Sequence, residues 1–312
     1  MQISRRAFAV RLAGATALIA APIVRAQAAP VTVSLPFLPI AGIAPAKRAE
    51  QAGYFKAEGL QLVWENLKSP ADSIPTLLSG KHQLSFINVG GLMAAAAQNL
   101  PIKVIGPLYF SVGLDQSIKV MSDSPIRSIA DLKGKTIGLA ALKNNYHAAV
   151  LDTLVRNNVD PESVKFTFVP VPQGLAALRN KTVDAVQLIE PFASQGADQV
   201  RAIIDNPYQV FGSGPAIVAY SLTTRDYAAK NPNVVQGFAR GMNKGIEDLA
   251  RDPQLLRKTI ASFTEIPEAL LAKMVLPLFS TDMAIDNAKR QAEAMARHKF
   301  IASMPDVGAL FK

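Results

Sequence analysis

The sequence predicts an α/β protein with two lobes. Short apolar, β-branched runs alternate with helix-spaced segments, which indicates a mostly parallel sheet covered by helices on both faces. A second series of strand–helix units begins near residue 118 and ends near 210, and the pattern is helical from 230 onward. A chain of 312 residues is long enough for two lobes, each with its own core.

Four strands and three helices are predicted before residue 115. The run at 31–39 alternates and is β-branched, and the following helix ends at Gly59. The second helix is capped near Ser69 or Asp72, and Pro101 ends the third. The strands are expected at 31–39, 60–67, 82–90 and 102–110, and the helices at 43–59, 69–80 and 91–100.

The second series follows the same logic. Strands alternate with helices up to residue 190, and one more strand follows the glycine-rich turn at 212–214. The strands are expected at 116–126, 136–140, 164–171 and 183–190, and the helices at 128–135, 145–158 and 173–180.

The first 28 residues are predicted to be an export signal. Arg5 and Arg6 form a twin-arginine pattern, a short apolar run follows, and small residues flank position 28. The apolar run is too short for a transmembrane helix. We expect export to the periplasm by the twin-arginine route and cleavage after Ala28; a buried N-terminal helix is the alternative.

Composition excludes several classes of function. Removing the signal lowers the basic residues from 33 to 29 against 24 acidic ones, and this mild net charge of +5 gives no argument for nucleic acid. There is no cysteine, and three scattered histidines leave little for a zinc site. No G-x-S-x-G motif is present. We therefore expect no catalytic residues, no metal and no cofactor.

Five motifs, in order, carry a family resemblance. They span nearly the whole mature chain: GYFKAEGL at 53–60, LLSGKHQLSF at 77–86, SIADLKGKTIGLA at 128–140, ALRNKTVDAVQLIEPF at 177–192 and RDYAAKNPNVVQGFARGMNKG at 225–245. In these the chain resembles the periplasmic solute-binding proteins of ABC importers, of the nitrate/sulfonate/taurine (NMT1/THI5-like) type. Two positions depart from the family: Gln83 and Leu84 stand where an acid is usual, and Asn180 replaces a turn glycine.

The resemblance implies a type II periplasmic binding protein, with two α/β lobes, two crossing hinge strands and a ligand cleft. Lobe 1 would comprise 29–115 and 214–312, and lobe 2 would comprise 116–213. It also implies a monomeric, non-enzymatic receptor whose partners are a small molecule and an inner-membrane permease. A receptor that signals to a sensor kinase remains open. So does an enzyme related to pyrimidine-precursor synthases, although their cysteine-rich iron motif has no counterpart in this chain.

Candidate ligand residues lie at strand tips, because open α/β sheets bind ligands beyond the carboxyl ends of their strands. Glycine there allows close approach of a ligand, and an aromatic ring can line the cleft, but a plain turn or a core position are the alternatives. In the first lobe the candidates are Phe37, Leu38, Pro39, Asn88, Val89, Gly90 and Tyr109.

In the second lobe the candidates follow two strands. Asn144, Asn145 and Tyr146 begin a helix whose N-terminus suits an anionic head group, or Asn144 and Asn145 simply cap it. Glu190, before Pro191, could bind a ligand amine or hydroxyl, bond lobe 1 in a closed state, or hold a nearby backbone N–H.

The expected ligand is an organic solute with a polar or anionic head. No arginine cluster lies at the predicted strand tips, which disfavours a bare inorganic anion. The apolar residues at the tips, beside asparagines, indicate a sulfonate, a carboxylate or a related small aromatic compound.

Overall fold

A computed structural model describes residues 29–37, 39–67 and 72–312. The predicted export signal and Leu38 therefore lie outside the described residues. The strands are β1 Val31–Phe37, β2 Leu60–Asn66, β3 Ser85–Asn88, β4 Ile102–Ser111, β5 Gln116–Met121, β6 Thr136–Leu139, β7 Lys165–Phe168, β8 Ala185–Ile189, β9 Val200–Ile204 and β10 Ala216–Thr224. The helices are α1 Ala44–Gln51, α2 Tyr54–Ala57, α3 Ser73–Leu78, α4 Val89–Ala97, α5 Asn145–Arg156, α6 Gly174–Arg179, α7 Phe192–Gln195, α8 Arg225–Lys230, α9 Pro232–Arg251, α10 Pro253–Ala261, α11 Glu268–Lys273 and α12 Ile285–Arg297.

The first lobe contains β1–β4 and β10 with helices α1–α4 and α8–α12. Strands β1 and β2 pair in parallel, and β10 lies between β3 and β4, antiparallel to both. Aromatic rings from β2, α2 and α9 pack in its core, where Phe55 stacks on Phe238 with centroids 5.2 Å apart.

The second lobe contains β5–β9 and α5–α7. Its five-stranded sheet has the order β7-β6-β8-β5-β9, with β6 parallel to β7 and β8. Strand β5 runs antiparallel to both β8 and β9. The α/β class is confirmed, but the expectation of a mostly parallel sheet is wrong. In each lobe the strand next to the inter-lobe crossing, β5 or β10, runs against its neighbours.

Two crossings join the lobes. The chain passes from β4 to β5 through a tight turn at 112–115, and it returns through a 3-10 segment, Pro207–Phe211, into β10. Because β5 and β10 are inserted between strands of their sheets, the two crossings hold the lobes side by side with a cleft between them.

Several boundaries differ from the prediction. The first helix is divided at Gly53, which adopts a left-handed φ of 73°. Val89 and Gly90, predicted to end the third strand, form the first turn of α4. The left-handed residue in the turn before β8 is Lys181, with φ 56°, and not Asn180, with φ −81°. Helix α7 and strand β9 were not predicted. None of the helices in the described part of the chain is long and apolar enough to span a bilayer.

Candidate functional site

An inner cavity of about 470 Å³ lies between the lobes. The first lobe contributes residues 39–42, Tyr109, Met274 and Val275, and the second lobe contributes residues 189–192. Asp115 and Gln116, at the crossing between β4 and β5, complete its polar end. Of the predicted residues, the structure brings Pro39, Tyr109 and Glu190 together here.

An outer cavity of about 740 Å³ adjoins the inner one and shares Pro39, Pro191, Phe192 and Ile266 with it. Phe37 lines this outer cavity and packs edge-on against Trp64, with the ring centroids 6.1 Å apart. The two cavities therefore form one cleft that is mostly apolar and opens outward past the end of β1.

Asp115 organises the turn that connects the lobes. Its Oδ1 accepts hydrogen bonds from the Ser111 hydroxyl at 2.7 Å, the Val112 N–H at 3.0 Å and the Gly113 N–H at 2.9 Å. No other described residue donates to its Oδ2. The residue is 6% exposed, and this burial raises the pKa of the Asp115 carboxyl against the opposing effect of these three donors and of its own backbone N–H.

Two further polar groups line the inner cavity without a protein partner. Gln116 is 5% exposed, and its side-chain amide makes no hydrogen bond to any residue that the structure describes. The Tyr109 hydroxyl likewise has no hydrogen-bond partner among those residues. Burial and the negative charge of Asp115 raise the pKa of Tyr109. Because Tyr109 and Gln116 line the cavity and these polar groups have no protein partner, they are candidates to bind a ligand.

Glu190 is bonded to both lobes. Its Oε1 accepts from the Ser194 hydroxyl at 2.7 Å and from the Val275 N–H of the first lobe at 3.1 Å. Its Oε2 accepts from the Ser194 N–H at 3.1 Å. The peptide bond from Glu190 to Pro191 is cis. The carboxylate therefore ties the lobes together at the edge of the cavity while it also lines it.

Negatively charged side chains line the cleft, and the partly buried Lys119 of β5 interacts electrostatically with Glu190 from outside the lining residues. Asp115 and Glu190 are the charged residues that line the inner cavity, and Glu265 lines the outer one. No lysine, arginine or histidine of the described ranges lines either cavity. Lys47, which lies over the Phe37 and Trp64 rings, is paired with Glu50 at 2.5 Å.

The predicted helix-start residues of the second lobe lie elsewhere, on what we call the packed side: the contact of α5 with α4 and α12. Asn145 is buried and donates to Gln291 Oε1 at 2.7 Å and to the Tyr208 hydroxyl at 3.3 Å. The Tyr146 hydroxyl donates to the backbone carbonyl of Gln116 at 3.2 Å. Asn144 caps α5 by accepting from the His147 N–H at 2.8 Å.

The first-lobe residues of this packed side are also engaged by protein. Asn88 caps α4 by accepting from the Gly91 N–H at 2.7 Å, and Val89 is fully buried. At Gly90 the helix start comes so close to α5 that an added Cβ would lie 2.6 Å from the Asn145 Oδ1. The structure thus gives these predicted ligand residues protein contacts and places none of them at the cavity.

His147 lies in an aromatic enclosure on the packed side. Its ring is 4.4 Å from the Phe166 centroid and 5.0 Å from that of Phe300, and Nδ1 accepts from the Lys143 N–H at 3.1 Å. Nε2 is buried with no partner among the described residues. Burial, with the nearby His298 and Lys143, lowers the pKa of His147 to about 4.

Sequence reasoning missed Asp115 and Gln116. They precede and begin β5, and attention to strand ends alone passes over them. A signal was present, because an acid two residues after a glycine, where the chain leaves one series of strands for the next, is typical of a side chain that closes a turn. Within the described ranges, no group of three or more histidine or acidic side chains could hold a metal ion.

A cleft between two α/β lobes joined by crossing strands is the architecture of periplasmic binding proteins. The chain has this fold: it superimposes on the periplasmic aliphatic sulphonate-binding protein SsuA of Escherichia coli with a TM-score of 0.73, at 18% identity, covering 90% of this chain and 97% of that one. Residues 41–255 match the family described as NMT1/THI5 like, and the protein belongs to that family.

Two curated relatives show the range of the family. The riboflavin-binding protein RibY of Chloroflexus aurantiacus is 26% identical over 275 residues, which cover 84% of this chain and 74% of the relative. The 4-amino-5-hydroxymethyl-2-methylpyrimidine phosphate synthase of Aspergillus parasiticus is 26% identical over 222 residues, covering 67% of this chain and 64% of the relative.

Proposed function

We propose that this protein is the periplasmic substrate-binding component of an ABC importer. It captures a small organic solute in the inter-lobe cleft and delivers it, as a monomer, to a permease in the inner membrane. In this proposal the chain is exported by the twin-arginine route, and its lobes meet at the 115/116 and 213/214 boundaries. Ligand binding favours the closed arrangement by a few kcal/mol of differential affinity.

The observation that carries the proposal is the cleft itself. It has apolar walls contributed by both lobes, and unpartnered polar groups, the Tyr109 hydroxyl and the Gln116 amide, at one end. Binding sites for small molecules combine these two features. Glu190 adds a contact between the lobes at the cavity edge, so that occupancy and closure are linked.

The class of ligand is drawn from the cleft and from the relatives together. One relative is named for riboflavin and another for a pyrimidine phosphate, while the superimposed structure is named for sulphonates. The expected set was a sulfonate, a carboxylate or an aromatic compound. Because carboxylates and no cation line the cleft, the aromatic member of that set fits best.

The enzyme alternative is not favoured. The pyrimidine synthase is a relative, but Asp115, the buried carboxylate of the described ranges, has no unpaired acid beside it to complete an acid–base pair, since both oxygens of Glu190 already accept hydrogen bonds. Receptor function needs only differential binding at this site.

Thermal unfolding of residues 29–312 against a panel of solutes tests the proposal. The panel holds riboflavin, a 4-aminopyrimidine, taurine, alkane and aryl sulfonates, benzoate and nitrate. A ligand at about a hundred times its dissociation constant stabilises by about 2.7 kcal/mol, which moves the midpoint by several degrees. We expect one class to shift the midpoint and to be recovered unchanged afterwards.

A matched pair of variants locates the site. Ala41 lines the inner cavity, whereas Ala57 lies exposed on α2. Ala41→Trp fills the cavity and should abolish the shift, while Ala57→Trp should preserve it. Chemical conversion of the bound compound, or a shift that survives Ala41→Trp, would contradict a receptor that binds in this cleft.

A further inference from the structure

At the polar end of the inner cavity, the protein uses the two carboxylate oxygens of Asp115 unequally. Asp115 uses one oxygen fully, with three donors on Oδ1, and no other described residue donates to Oδ2. Asp115 lines the cavity, so an Oδ2 that no neighbouring residue engages is available to a ligand donor. The side chain is 6% exposed, so a ligand at the cavity is the natural source of the missing donor.

Gln116 places a hydrogen-bond donor next to this acceptor. It is the next residue in the chain, 5% exposed, and lines the same cavity, and its side-chain amide has no partner among the residues described. An amide offers two N–H donors and one carbonyl acceptor. A fixed acceptor next to an available donor matches a ligand edge on which an N–H stands beside a ring nitrogen or a carbonyl oxygen.

The rest of the cavity selects an apolar body and rejects negative charge. Ile40, Val171, Phe192 and Ile266 are among its walls, and its charged side chains are both carboxylates. An anion placed there would meet like charges in a poorly solvated space, with no cation at the walls. Glu190 is the less available acceptor, since its two oxygens already accept three hydrogen bonds from Ser194 and Val275.

We propose that the inner cavity recognises the polar edge of a neutral or protonated nitrogen heterocycle, whose N–H donates to Asp115 Oδ2 and whose adjacent acceptor takes a hydrogen bond from the Gln116 amide. The inference rests on the proposed receptor function and narrows it to one ligand class. Sulfonates and carboxylates of similar size are selected against by the carboxylates of Asp115 and Glu190.

Isothermal titration with matched probes tests this recognition. Riboflavin carries one imide N–H between two carbonyl groups, and its N3-methyl derivative lacks that donor. The second heterocycle is 4-amino-5-hydroxymethyl-2-methylpyrimidine, which has an amine beside a ring nitrogen. Methanesulfonate and benzoate serve as anions. We expect at least one heterocycle to bind and both anions to bind at least a hundredfold more weakly.

Asp115→Asn is the critical variant. The amide oxygen can still accept from Ser111, Val112 and Gly113, so the turn is retained, while the free atom changes from an acceptor to a donor. We expect affinity for the heterocycle that binds to fall about ten- to a hundredfold, since a hydrogen bond to a charged group is lost. Asp123→Asn removes an equal charge from the exposed turn beyond the other end of β5 and should leave affinity unchanged.

Comparing riboflavin with its N3-methyl derivative tests the same hydrogen bond on the native protein, so the result does not depend on whether a variant folds. If riboflavin binds, its N3-methyl derivative should lose a similar factor on the native protein, and Asp115→Asn should then cost the methylated probe little. Equal affinity of the two flavins, or an unchanged affinity in a folded Asp115→Asn protein, would overturn the assignment. Tight binding of an anion with no heterocycle bound would overturn the ligand class while leaving the receptor function intact.

A panel in which nothing binds is resolved by the compound that copurifies with the protein. Denaturation followed by mass spectrometry identifies it. A released heterocycle with an N–H edge supports the inference, and a released compound without such an edge overturns it. An empty protein that binds none of the probes counts against the receptor function itself, and the assignment of a ring falls with it.

Discussion

The two sides of the lobe interface use similar residues in different ways. On the packed side, Asn145 is buried and its side-chain NH2 group donates to Gln291 and Tyr208. On the cleft side, Gln116 is equally buried but has no side-chain partner among the residues described. Both are amides at the start of an element, and each lies between the lobes.

The difference shows what makes a polar residue at an element's end available to a ligand. Burial and position are shared by the two amides, so neither distinguishes them. The two amides differ in whether the protein supplies their hydrogen-bond partners. A group that already has its partners gains little from a ligand. The packed side should therefore control stability, whereas the cleft side should control affinity.

Lowering the pH should reduce the unfolding free energy more than any of the substitutions described below. His147 is neutral and buried there, with its pKa lowered to about 4 from an ordinary value of 6.5. A lowered histidine pKa means that the unfolded chain binds more protons, so the stability present above about pH 6.5 is lost as the pH falls towards 4. One unit corresponds to about 1.4 kcal/mol, so the loss is about 3 kcal/mol in total.

Denaturant unfolding of the native protein and of His147→Phe, at half-unit steps of pH, measures this loss. The phenylalanine ring suits the enclosure formed by Phe166 and Phe300 but cannot titrate. The stability of the native protein relative to the variant should fall as the pH drops below 6.5. Parallel curves for both proteins would show that His147 does not couple the packed side to pH.

The close approach of α4 to α5 gives the next largest effect. A Cβ on Gly90 would lie 2.6 Å from the Asn145 Oδ1 and 3.2 Å from its backbone N. Asn145 is held by two hydrogen bonds and cannot move away freely. Gly90→Ala should therefore cost about 2 kcal/mol of unfolding free energy, as overpacking in a core does.

Gly106→Ala is the matched control, measured in the same denaturant series. Gly106 lies in β4, has no left-handed φ, and an added Cβ would meet nothing nearer than Ser221 Oγ at 3.8 Å. We expect this variant to unfold within about 0.5 kcal/mol of the native protein. Equal losses for the two glycines would mean that the contact between α4 and α5 does not limit stability.

The sequence predicted the elements well and the site only in part. Alternation of β-branched and helical runs located nine of the ten strands in the described part of the chain, because those patterns follow from local periodicity. Pro39, Tyr109 and Glu190, which were expected at strand tips, line the cavity. Helix α7 is only four residues long and follows Pro191, and β9 is five residues long, so their local patterns are too weak to identify.

What the sequence could not predict is which side of the interface would be open. Asn144, Asn145 and Tyr146 have the composition of a ligand loop, and their partner Gln291 lies 146 residues further along the chain from Asn145. Asp115 reads locally as a turn residue, and its free oxygen is known only once both lobes surround it. Satisfaction of a polar group is a property of the tertiary structure.

A pair of side-chain truncations should separate the two sides directly. Asn145→Ala leaves Gln291 Oε1 without its donor in a fully buried position, so we expect a loss of about 1–2 kcal/mol in unfolding free energy. Tyr109→Phe removes a hydroxyl that has no partner among the described residues, so stability should hardly change. Its ligand affinity should fall severalfold if the hydroxyl contacts the ligand.

Titration of both variants with the heterocycle that binds the native protein completes this comparison. Asn145→Ala, measured well below its unfolding midpoint, should retain native affinity within about a factor of three. If Asn145→Ala instead loses affinity and Tyr109→Phe loses only stability, the assignment of the two sides is reversed.

The smallest expected effect belongs to Glu190, which tests whether the cleft side also contributes to closure. Its carboxylate accepts the Val275 N–H across the lobes at 3.1 Å. Glu190→Gln keeps an oxygen acceptor but removes the charge, which weakens that hydrogen bond by about 1 kcal/mol and should weaken ligand binding about fivefold. Small-angle scattering with and without the ligand should show a smaller fraction of closed protein in the variant, because the contact that it weakens joins the lobes.

Glu162→Gln, on an exposed turn of the second lobe, removes the same charge without such a contact and should bind as the native protein does. If Glu190→Gln lowers affinity with the scattering profile unchanged, Glu190 contacts the ligand directly, and the contact between the lobes is incidental to binding.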